Sequence, residues 1–416
     1  MSANNLVFSR VGAGGKHRFL VGFSRKGCII IFDMRKRGIR SVIKKILKYF
    51  WKDKVFVIAF ALAILSCFFV PPSAVYLDYV NWKVPIIMFT LMLAVAGMYE
   101  ANLFSFISIK LVSRFYSIKW IGLVVILASF FLGMWITNDA VLLTLVPFTL
   151  VVTKQTGQER YALIIVIMQT IAANMGSALT PMGDPQNIYL YAHYELGFGE
   201  FVAAMAPITI TGFVLLVVST VLLIPNVPCQ PIMVAPKVAF RKLWVYGLIF
   251  INALLCVLKV LPPWWTFGIT VVLIVPFGIH LLKKVDYTLI LTFISFFVFT
   301  GNLSQMTSVV SFVSEWLNTD VSVYFSGLVV SQFISNVPAS ILLSTFTPKL
   351  FWRPLLQGVN VGAMGTLLAS LASLIALKFV IKDFPNQGKT YIKTYSLLCV
   401  VYIAIITAVV FIINYL

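Results

Sequence analysis

The sequence predicts an all-α polytopic membrane protein made of two inverted repeats, each with a re-entrant hairpin and a broken transmembrane helix. Its 416 residues are 60% hydrophobic and 11% charged, with a mean hydropathy of +0.98, whereas soluble domains carry about a quarter charged residues. Many apolar runs are long enough to cross a hydrocarbon layer of about 30 Å. Polar interruptions recur at corresponding places in the two halves. We therefore expect about nine spanning segments plus two hairpins.

The basic residues indicate how the chain is oriented. The net charge of +19 is concentrated in the N-terminal segment and in short loops, such as residues 237–242 and 283–284. Cytoplasmic loops carry such an excess, so the charge orients the chain in a lipid bilayer and does not favour nucleic acid as a partner. The predicted divisions are a basic cytoplasmic N-terminal segment (1–54), a first repeat (55–224), a cytoplasmic linker (225–242) and a second repeat (243–416).

The same charge pattern places the N-terminus in the cytoplasm and the C-terminus outside, and we expect the inner membrane of a bacterium. The stretch that begins at Met34 is basic and typical of a cytoplasmic start, and residues 1–33 do not resemble a signal peptide. Glu100 follows an apolar segment and is interpreted as a solvated helix end.

A hairpin is predicted over residues 120–152, where 33 mostly apolar residues lie between positively charged ends. A single helix of that length would be about 50 Å long, too long to span once, and two full spans would need about 40 residues plus a turn. Since both ends belong on the same side, two half-length helices that turn back within the membrane fit the segment. The turn is expected at its midpoint, ITNDA (136–140).

A broken helix is predicted directly afterwards. Residues 161–174 form a short apolar helix, and the sequence LTPMGDPQNIY (179–189) then interrupts it with prolines, a glycine, an acid and amides. Pro181 and Pro185 end helices and leave carbonyl groups free, so we expect unwound backbone over residues 176–187.

The same arrangement recurs in the second half of the chain. Residues 321–352 are interrupted by ISNVPAS (334–340), and the segment 355–377 is broken by glycines and small polar residues. The charge pattern indicates that the first hairpin enters the membrane from the cytoplasmic side and the second from the outer side. The two repeats are therefore expected to be inverted. Inverted repeats with discontinuous helices are the architecture of secondary transporters, whose substrate lies near the midplane where the breaks meet.

Asp139 and Asp184 are the strongest candidates for functional residues. Each is an acid at a predicted break with no lysine or arginine within ten positions. A carboxylate at that depth must bind a cation, pair with another group or hold a proton. Any of these would couple transport to a sodium or proton gradient. The alternative, which can coexist with the first, is that each acid caps the N-terminus of a half-helix.

The breaks of the second repeat contain no acid and offer neutral donors at Ser335, Asn336, Asn360 and Thr366. Together with the free N–H groups at half-helix starts, they are a better surface for an anion. The tip residues Asn138 and Asn336 are interpreted as substrate or ion contacts, or as structural turn residues. Glycines at the breaks are expected to allow either unusual backbone angles or the close approach of two helices. These glycines are Gly176, Gly183, Gly362 and Gly365.

Other classes of protein are disfavoured by the motifs that the sequence lacks. It contains neither a CxxC pair nor a cysteine–histidine cluster, so neither a disulfide framework nor a metal site of that kind is implied. Without a recognisable nucleophile–base pair, an enzyme is not expected, and inverted broken helices favour alternating access over a passive channel. We expect no cofactor apart from Na+ or H+ as the coupling ion.

At these residues the sequence resembles the ion transporter superfamily, which includes divalent-anion/sodium symporters, citrate permeases, arsenite efflux permeases, the melanosomal P protein and type-D sodium/proton antiporters. TNDAVLLTLVPF (137–148) resembles its first hairpin motif, and NMGSALTPMGDPQN (174–187) resembles its first broken helix. SNVPASILL (335–343) is similar to the second hairpin tip, and NVGAMGT (360–366) to the second break.

The resemblance implies an elevator mechanism, in which a transport domain of hairpins and broken helices slides against a scaffold, often within a homodimer. Ser177 and Gln186 depart from the first broken-helix signature of the family. Motif matching implies ion and substrate contacts within residues 137–139, 180–187, 335–337 and 360–366.

The sequence thus predicts a secondary active transporter of a small anion, a carboxylate or an oxyanion, coupled to Na+ or H+. The alternatives are a sodium/proton antiporter that uses Asp139 and Asp184, and an arsenite-type efflux permease that works with a separate ATPase. A sodium site is predicted at Asn138, Asp139 and Asp184. The candidate binding residues are Thr137, Asn138, Asp139, Asn174, Gly176, Thr180, Pro181, Gly183, Asp184, Asn187, Ser335, Asn336, Val337, Asn360, Gly362, Gly365 and Thr366.

Overall fold

The computed structural model describes residues 50–51, 53–231 and 234–415, and over these ranges it is helical, with one isolated bridge between Ser117 and Pro228 and no β-strand. The chain falls into two units, Met1–Val57 and Ile58–Leu416. Residues 1–49 lie outside the described part of the chain, and with them most of the predicted basic segment 1–54.

From residue 53 onward, four helices precede the first predicted hairpin: α1 (Lys54–Ser66), α2 (Tyr76–Tyr79), α3 (Lys83–Glu100) and α4 (Leu103–Val112). Helix α3 is apolar and long enough to cross a membrane, whereas α1 has 13 residues. Asn102 lies between α3 and α4 with a φ of 61°. Asparagine tolerates this left-handed conformation better than most residues, and it lets the chain turn sharply into α4.

The segments of the first predicted hairpin and broken helix form four helices, α5 (Ile118–Gly133), α6 (Asn138–Gln155), α7 (Ala162–Ser177) and α8 (Pro185–His193), followed by α9 (Phe198–Leu223). The interruption between α5 and α6 covers residues 134–137, which overlap the expected tip. The break between α7 and α8 covers residues 178–184. Helix α8 begins at Pro185, a residue suited to the first helical turn because the N–H it lacks would have no partner there.

Four helices lie between α9 and the second predicted hairpin: α10 (Phe240–Val257), α11 (Pro263–Gly278), α12 (Tyr287–Ser304) and α13 (Thr307–Trp316). A 3₁₀ segment, Ile279–Lys284, continues α11, and the two together are 22 residues long. Asp286 caps α12, because its carboxylate accepts a hydrogen bond from the backbone N–H of Leu289 at 3.0 Å.

The second half repeats the order of a helix pair, an interrupted helix and a long helix: α14 (Asp320–Ile334), α15 (Asn336–Ser344), α16 (Trp352–Gly362), α17 (Leu371–Asp383) and α18 (Gly388–Tyr415). The turn between α14 and α15 is the single residue Ser335, whose φ of 72° is uncommon for a residue other than glycine. The second break, between α16 and α17, covers residues 363–370.

Six helical segments in the described part of the chain are long and apolar enough to cross a membrane. The count of about nine expected from the sequence also included α1 and the two interrupted helices, α7–α8 and α16–α17. The all-α polytopic class is therefore confirmed. The six segments are α3, α9, α10, Pro263–Lys284, α12 and Pro385–Asn414.

Close helix contacts hold each hairpin against the interrupted helix that follows it. On α7, Gly176 lies so near α5 that a β-carbon would stand 1.8 Å from the carbonyl oxygen of Phe130. On α16, Gly358 approaches α14 in the same way, and a β-carbon there would stand 2.2 Å from the carbonyl oxygen of Tyr324. Glycine thus allows the same backbone approach in both halves.

A second group of helices contains no break. Helices α3, α10 and α11 share a buried apolar cluster that includes Leu93, Tyr246 and Ile274. The hydroxyls of Thr90 and Thr270 are hydrogen-bonded between α3 and α11 at 3.2 Å. We call α3, α10, α11 and the 3₁₀ segment the α3 group, and we call α5–α8 with α14–α17 the break-bearing helices.

Gly358→Ala is expected to lower the free energy of unfolding by about 1–3 kcal/mol, the usual effect of overpacking, because the added methyl group meets the α14 backbone. Gly247→Ala is the matched control: a β-carbon there meets open space, and alanine favours a helix interior by up to about 1 kcal/mol over glycine. Thermal unfolding in detergent measures both variants. Equal melting temperatures would contradict the close packing of α14 on α16.

Candidate functional site

Asp184 lies in the first break with its side chain 4% exposed. One carboxylate oxygen accepts a hydrogen bond from Nδ2 of Asn138 at 2.9 Å and a longer one from Oγ of Ser177 at 3.5 Å. None of the ion pairs among the described residues involves Asp184. A buried, ionised carboxylate with only neutral donors is costly unless a cation joins it or a proton neutralises it. Either one would stabilise Asp184 in this position.

Hydrogen-bonded capping, the other role left open for the two acids, is wrong for both of them. Asp184 occupies the N-cap position of α8, but its carboxylate makes no capping hydrogen bond. The N-cap of α6 is Thr137, and Asp139 lies in the first turn of that helix. A negative charge in the first turn is still favoured by the helix dipole, so Asp139 stabilises α6 only in this weaker sense.

Asn138 joins the first hairpin tip to the first break. Its Nδ2 donates to Oδ1 of Asn174 and to Oδ2 of Asp184, both at 2.9 Å. Its backbone N–H donates to the carbonyl oxygen of Gly183 at 3.3 Å, and its Oδ1 accepts from the N–H of Asp139 at 2.8 Å. The buried amide thus uses both of its N–H donors, and its oxygen retains a lone pair.

The second break reaches the same cluster through two serines that no motif in the sequence indicated. Ser370 donates from Oγ to Oδ1 of Asn174 at 3.2 Å, and Asn174 donates from Nδ2 to Oγ of Ser373 at 3.4 Å. Ser373 is also hydrogen-bonded to the hydroxyl of Tyr395 at 2.8 Å. The one available signal in the sequence was weak: Ser370 and Ser373 are small polar residues at the end of a break and directly after it. Both halves of the chain therefore contribute to the surroundings of Asp184.

A second buried junction links α8 to α16. Asn360 donates from Nδ2 to Oδ1 of Asn187 at 2.7 Å and to the carbonyl oxygen of Leu356 at 2.9 Å. Asn187 in turn donates from Nδ2 to the carbonyl oxygen of Ser177 at 3.0 Å. That carbonyl belongs to the end of α7, where helix geometry leaves it without a partner. The amide pair therefore closes the first break and joins the two halves.

The second hairpin tip repeats a backbone contact of the first. The N–H of Asn336, the first residue of α15, donates to the carbonyl oxygen of Ala369 in the second break at 2.9 Å. The N–H of Asn138 does the same to Gly183 in the first break. Ser335 adds a hydrogen bond from Oγ to the Ala369 carbonyl at 3.2 Å. Nδ2 of Asn336 is buried without a hydrogen-bond partner among the described residues, so it can donate to an acceptor.

Other predicted residues are placed in contacts that the sequence did not specify. Thr180 donates from Oγ1 to the carbonyl oxygen of Met134, and so fastens the first break to the hairpin tip. Thr366 is exposed and donates instead from its N–H to Oε1 of Gln332 at 2.7 Å. It is not brought into the hydrogen-bonded cluster around Asn138. Pro181 and Val337 are buried.

The predicted glycines provide close approach and not unusual backbone angles. A β-carbon at Gly183 would stand 2.3 Å from the carbonyl oxygen of Ser177, and one at Gly365 would stand 1.9 Å from Oε1 of Gln332. Close packing is therefore the correct choice of the two roles considered from the sequence. None of the four predicted glycines, which are Gly176, Gly183, Gly362 and Gly365, has a positive φ.

A cavity of about 560 Å³ lies between α3 and the start of α12 on one side and α6 and α17 on the other. Thr137 and Asp139 line it from the first hairpin, and Asp139 is half-buried. Pro185, the residue after Asp184, also lines it. The cavity therefore leads from the α3 group to the immediate neighbour of Asp184.

A polytopic helical protein whose polar helix breaks meet beside a cavity is, by class, a membrane transporter. The chain belongs to the citrate transporter family, whose model matches residues 42–350. This membership confirms the resemblance to the ion transporter superfamily. The matched region contains both hairpin tips and the first break, and it ends before the second break at residues 363–370.

Relatives of similar length are also transporters or membrane proteins. An uncharacterized transporter of Methanocaldococcus jannaschii is 34% identical over 301 residues, which are 72% of this chain and 81% of the relative. Inner membrane protein YbiR of Escherichia coli is 29% identical over 339 residues, 78% of this chain and 87% of its own. The crystal structure of the YdaH transporter of Alcanivorax borkumensis aligns with 82% of this chain and 88% of its own, at 14% identity and a TM-score of 0.49.

The amide pair between α8 and α16 is expected to show coupling in a double-mutant cycle. Asn187→Ala and Asn360→Ala should each lower the free energy of unfolding by about 1–3 kcal/mol, because each leaves a buried polar group unpaired. Since the two side chains touch, the double variant should depart from additivity by about 0.5–3 kcal/mol. Asn318→Ala at an exposed position is the control and should add to either variant. Additive effects for Asn187 and Asn360 would contradict the junction.

Proposed function

We propose that the chain is a secondary active transporter that couples the movement of a small anion to a gradient of Na+ or H+. The observation that carries the proposal is the burial of Asp184 among neutral hydrogen-bond donors only. A gradient-driven carrier needs a group whose charge is compensated only while the coupling ion is bound. Asp184 meets this requirement, because no basic side chain compensates it permanently in the described part of the chain.

The surroundings of Asp184 suit a hard cation. Side-chain oxygens of Asn138 and Asn174 and the carbonyl oxygen of Gly183 belong to the same hydrogen-bonded cluster. Carboxylate, amide and carbonyl oxygens are the ligands that hard cations prefer. Protonation of Asp184 would neutralise the same position, so Na+ and H+ are both compatible with it. Asp139, at the end of the cavity, is the second acid that we assign to the ion pathway.

The second hairpin tip supports an anion as the cargo. Nδ2 of Asn336 is a buried donor without a partner among the described residues, and the oxygens of a carboxylate or oxyanion are acceptors. Asn336 also begins α15, and the start of a helix combines free N–H groups with the positive end of its dipole. Since the second-half breaks contain no acid, they carry no side chain that repels an anion.

A sodium/proton antiporter is the second candidate. It is favoured by the cavity, because two of the three charged residues in its described lining, Asp139 and Asp286, are acids. Such a lining attracts cations, and an antiporter would need no donor for an anion. In that case Asp139 and Asp184 would bind Na+ and H+ in alternation.

We further propose that the break-bearing helices move as one body against the α3 group, as in an elevator. Buried hydrogen bonds at Asn174 and at Asn187 tie the breaks of the two halves together, whereas the cavity separates Asp139 from α3. In this proposal the two repeats have opposite orientations in the membrane, and the transporter is a homodimer. The N-terminus is cytoplasmic and the C-terminus is outside, in a bacterial inner membrane.

Purified protein in liposomes tests the proposed function. Labelled citrate, a carboxylate, and labelled sulfate, an oxyanion, are offered under an inward gradient of Na+ or of H+. We expect at least one of them to accumulate against its own gradient, and to lose this accumulation when the cation gradient is collapsed. Exchange of Na+ for H+ without anion uptake would favour the antiporter, and flux that ignores both cation gradients would contradict both candidates.

Asp184→Asn is expected to lower gradient-driven uptake at least about tenfold, equivalent to a loss of about 1.4 kcal/mol, because the amide keeps the size of the side chain and removes its charge. Asp139→Asn should act in the same direction. The measurement is the ratio of uptake with and without the cation gradient. Glu159→Gln makes the same chemical change at an exposed position and should keep the normal ratio. If both aspartate variants keep it as well, the assigned ion site is wrong.

A further inference from the structure

The cavity beside Asp139 opens to solvent at one end. Lys284, Asp286 and Tyr99 line it and are exposed, whereas Pro185 lines it and is buried. A solute that enters at this end passes the exposed Lys284 and Asp286 before it reaches the half-buried Asp139. The charges at this entrance decide which solutes are drawn in, since a cleft with low-dielectric walls focuses the field of its charged residues.

A cluster of charged residues holds one side of the entrance. The carboxylate of Glu100, the last residue of α3, lies 3.0 Å from Nζ of Lys284, 2.8 Å from Nε2 of His280 and 3.8 Å from Nζ of Lys242. One carboxylate compensates only one of the two lysines, so the cluster is positive even when His280 is neutral. Glu100 is the last residue of α3, as the sequence predicts, and its side chain is 27% exposed and contacts three basic residues, so it is only partly solvated.

Glu100 also fixes the position of the Lys284 ammonium at the cavity wall. A lysine side chain is a flexible four-carbon stem, and the 3.0 Å contact with α3 restricts it. An ammonium group has three N–H donors, and the contact with Glu100 occupies one of them. The remaining donors are available to a ligand in the cavity.

We infer that Lys284 captures the negatively charged group of the cargo, a carboxylate or an oxyanion, at this entrance. The inference rests on the proposed transport of an anion and on the proposed movement of the break-bearing helices against the α3 group, and it adds the residue that first binds the anion. Among the described residues that line the cavity, Lys284 is the one that is basic. It belongs to the α3 group and not to the break-bearing helices, so it remains at one face of the membrane and serves binding from that face only.

Asp286 acts in the opposite sense at the same entrance. Its charge repels an anion and attracts a cation. Its carboxylate caps α12 through the N–H of Leu289, and asparagine caps a helix about as well as aspartate does. Asp286→Asn therefore removes the charge and keeps the cap, which makes Lys284 and Asp286 a matched pair for testing the charge of the cargo.

The experiment measures the uptake of labelled citrate and labelled sulfate into membrane vesicles of both orientations. Lys284→Gln is expected to raise KM about fivefold at the face that bears Lys284, because the variant removes one positive charge near the bound anion. KM at the other face should be unchanged. Lys284→Arg should stay near the normal value, and Asp286→Asn should lower KM at the Lys284 face. The control is Lys283→Gln, at an exposed neighbour outside the cavity lining, which should keep the normal KM.

A normal KM for Lys284→Gln, or an equal change at both faces, would overturn the inference and leave gradient-driven anion transport intact. If Lys284→Gln improved uptake and Asp286→Asn impaired it, the effects of both variants would be the reverse of those expected. This result would indicate a cation as the cargo and would overturn the inference together with the proposed function. Absence of anion uptake by the unmodified protein would refute the proposed function before any variant is compared. The two failures are therefore distinguishable.

Discussion

The site depends on the side-chain amide of Asn138. Its two N–H groups are divided between Asn174 and Asp184, and its backbone N–H binds the carbonyl of Gly183. A buried network of this kind cannot exchange its partners for bulk water, so it fixes the hairpin tip, the first break and, through Asn174, the second break in one arrangement. Hydrogen bonds to an ionised acceptor are stronger than those to a neutral one. The charge state of Asp184 therefore controls how firmly the tip is held.

The two halves share a backbone design and differ in the charge that it carries. In each half, the first residue of the second hairpin arm donates its N–H to a carbonyl of the following break, as Asn138 and Asn336 do. In the first half the break supplies a carboxylate, Asp184, to the side chain of the tip. In the second half the corresponding amide donor has no partner among the described residues. The same backbone contact thus stands beside a carboxylate in the first half and beside an unpartnered amide donor in the described part of the second half, and the proposed cation and anion positions rest on this difference.

The interruptions of the helices could be predicted from the sequence because they follow from local constraints. Helix rise and membrane thickness limit the length of an apolar segment, and prolines and acids mark where the backbone leaves the helix. The contribution of Ser370 to the site could not be predicted, because Ser370 lies 196 residues after its partner Asn174 in the sequence. Their contact depends on how distant helices pack. The contact between Glu100 and Lys284, 184 residues apart, is of the same kind. The role of Gly176 likewise required the position of the neighbouring backbone.

The order of charges along the cavity determines the order of binding in the proposed transporter. An anion drawn to Lys284 still faces the negative charge of Asp139 further in. Two like charges about 4 Å apart repel by about 1 kcal/mol in water and by about 4 kcal/mol at the effective dielectric constant near a protein surface. A cation at Asp139 or Asp184 removes this repulsion, and the anion then completes a pair of opposite charges. In the proposed transporter, binding of the anion without the cation is therefore disfavoured by electrostatics, and this repulsion sets the order in which the two ions bind.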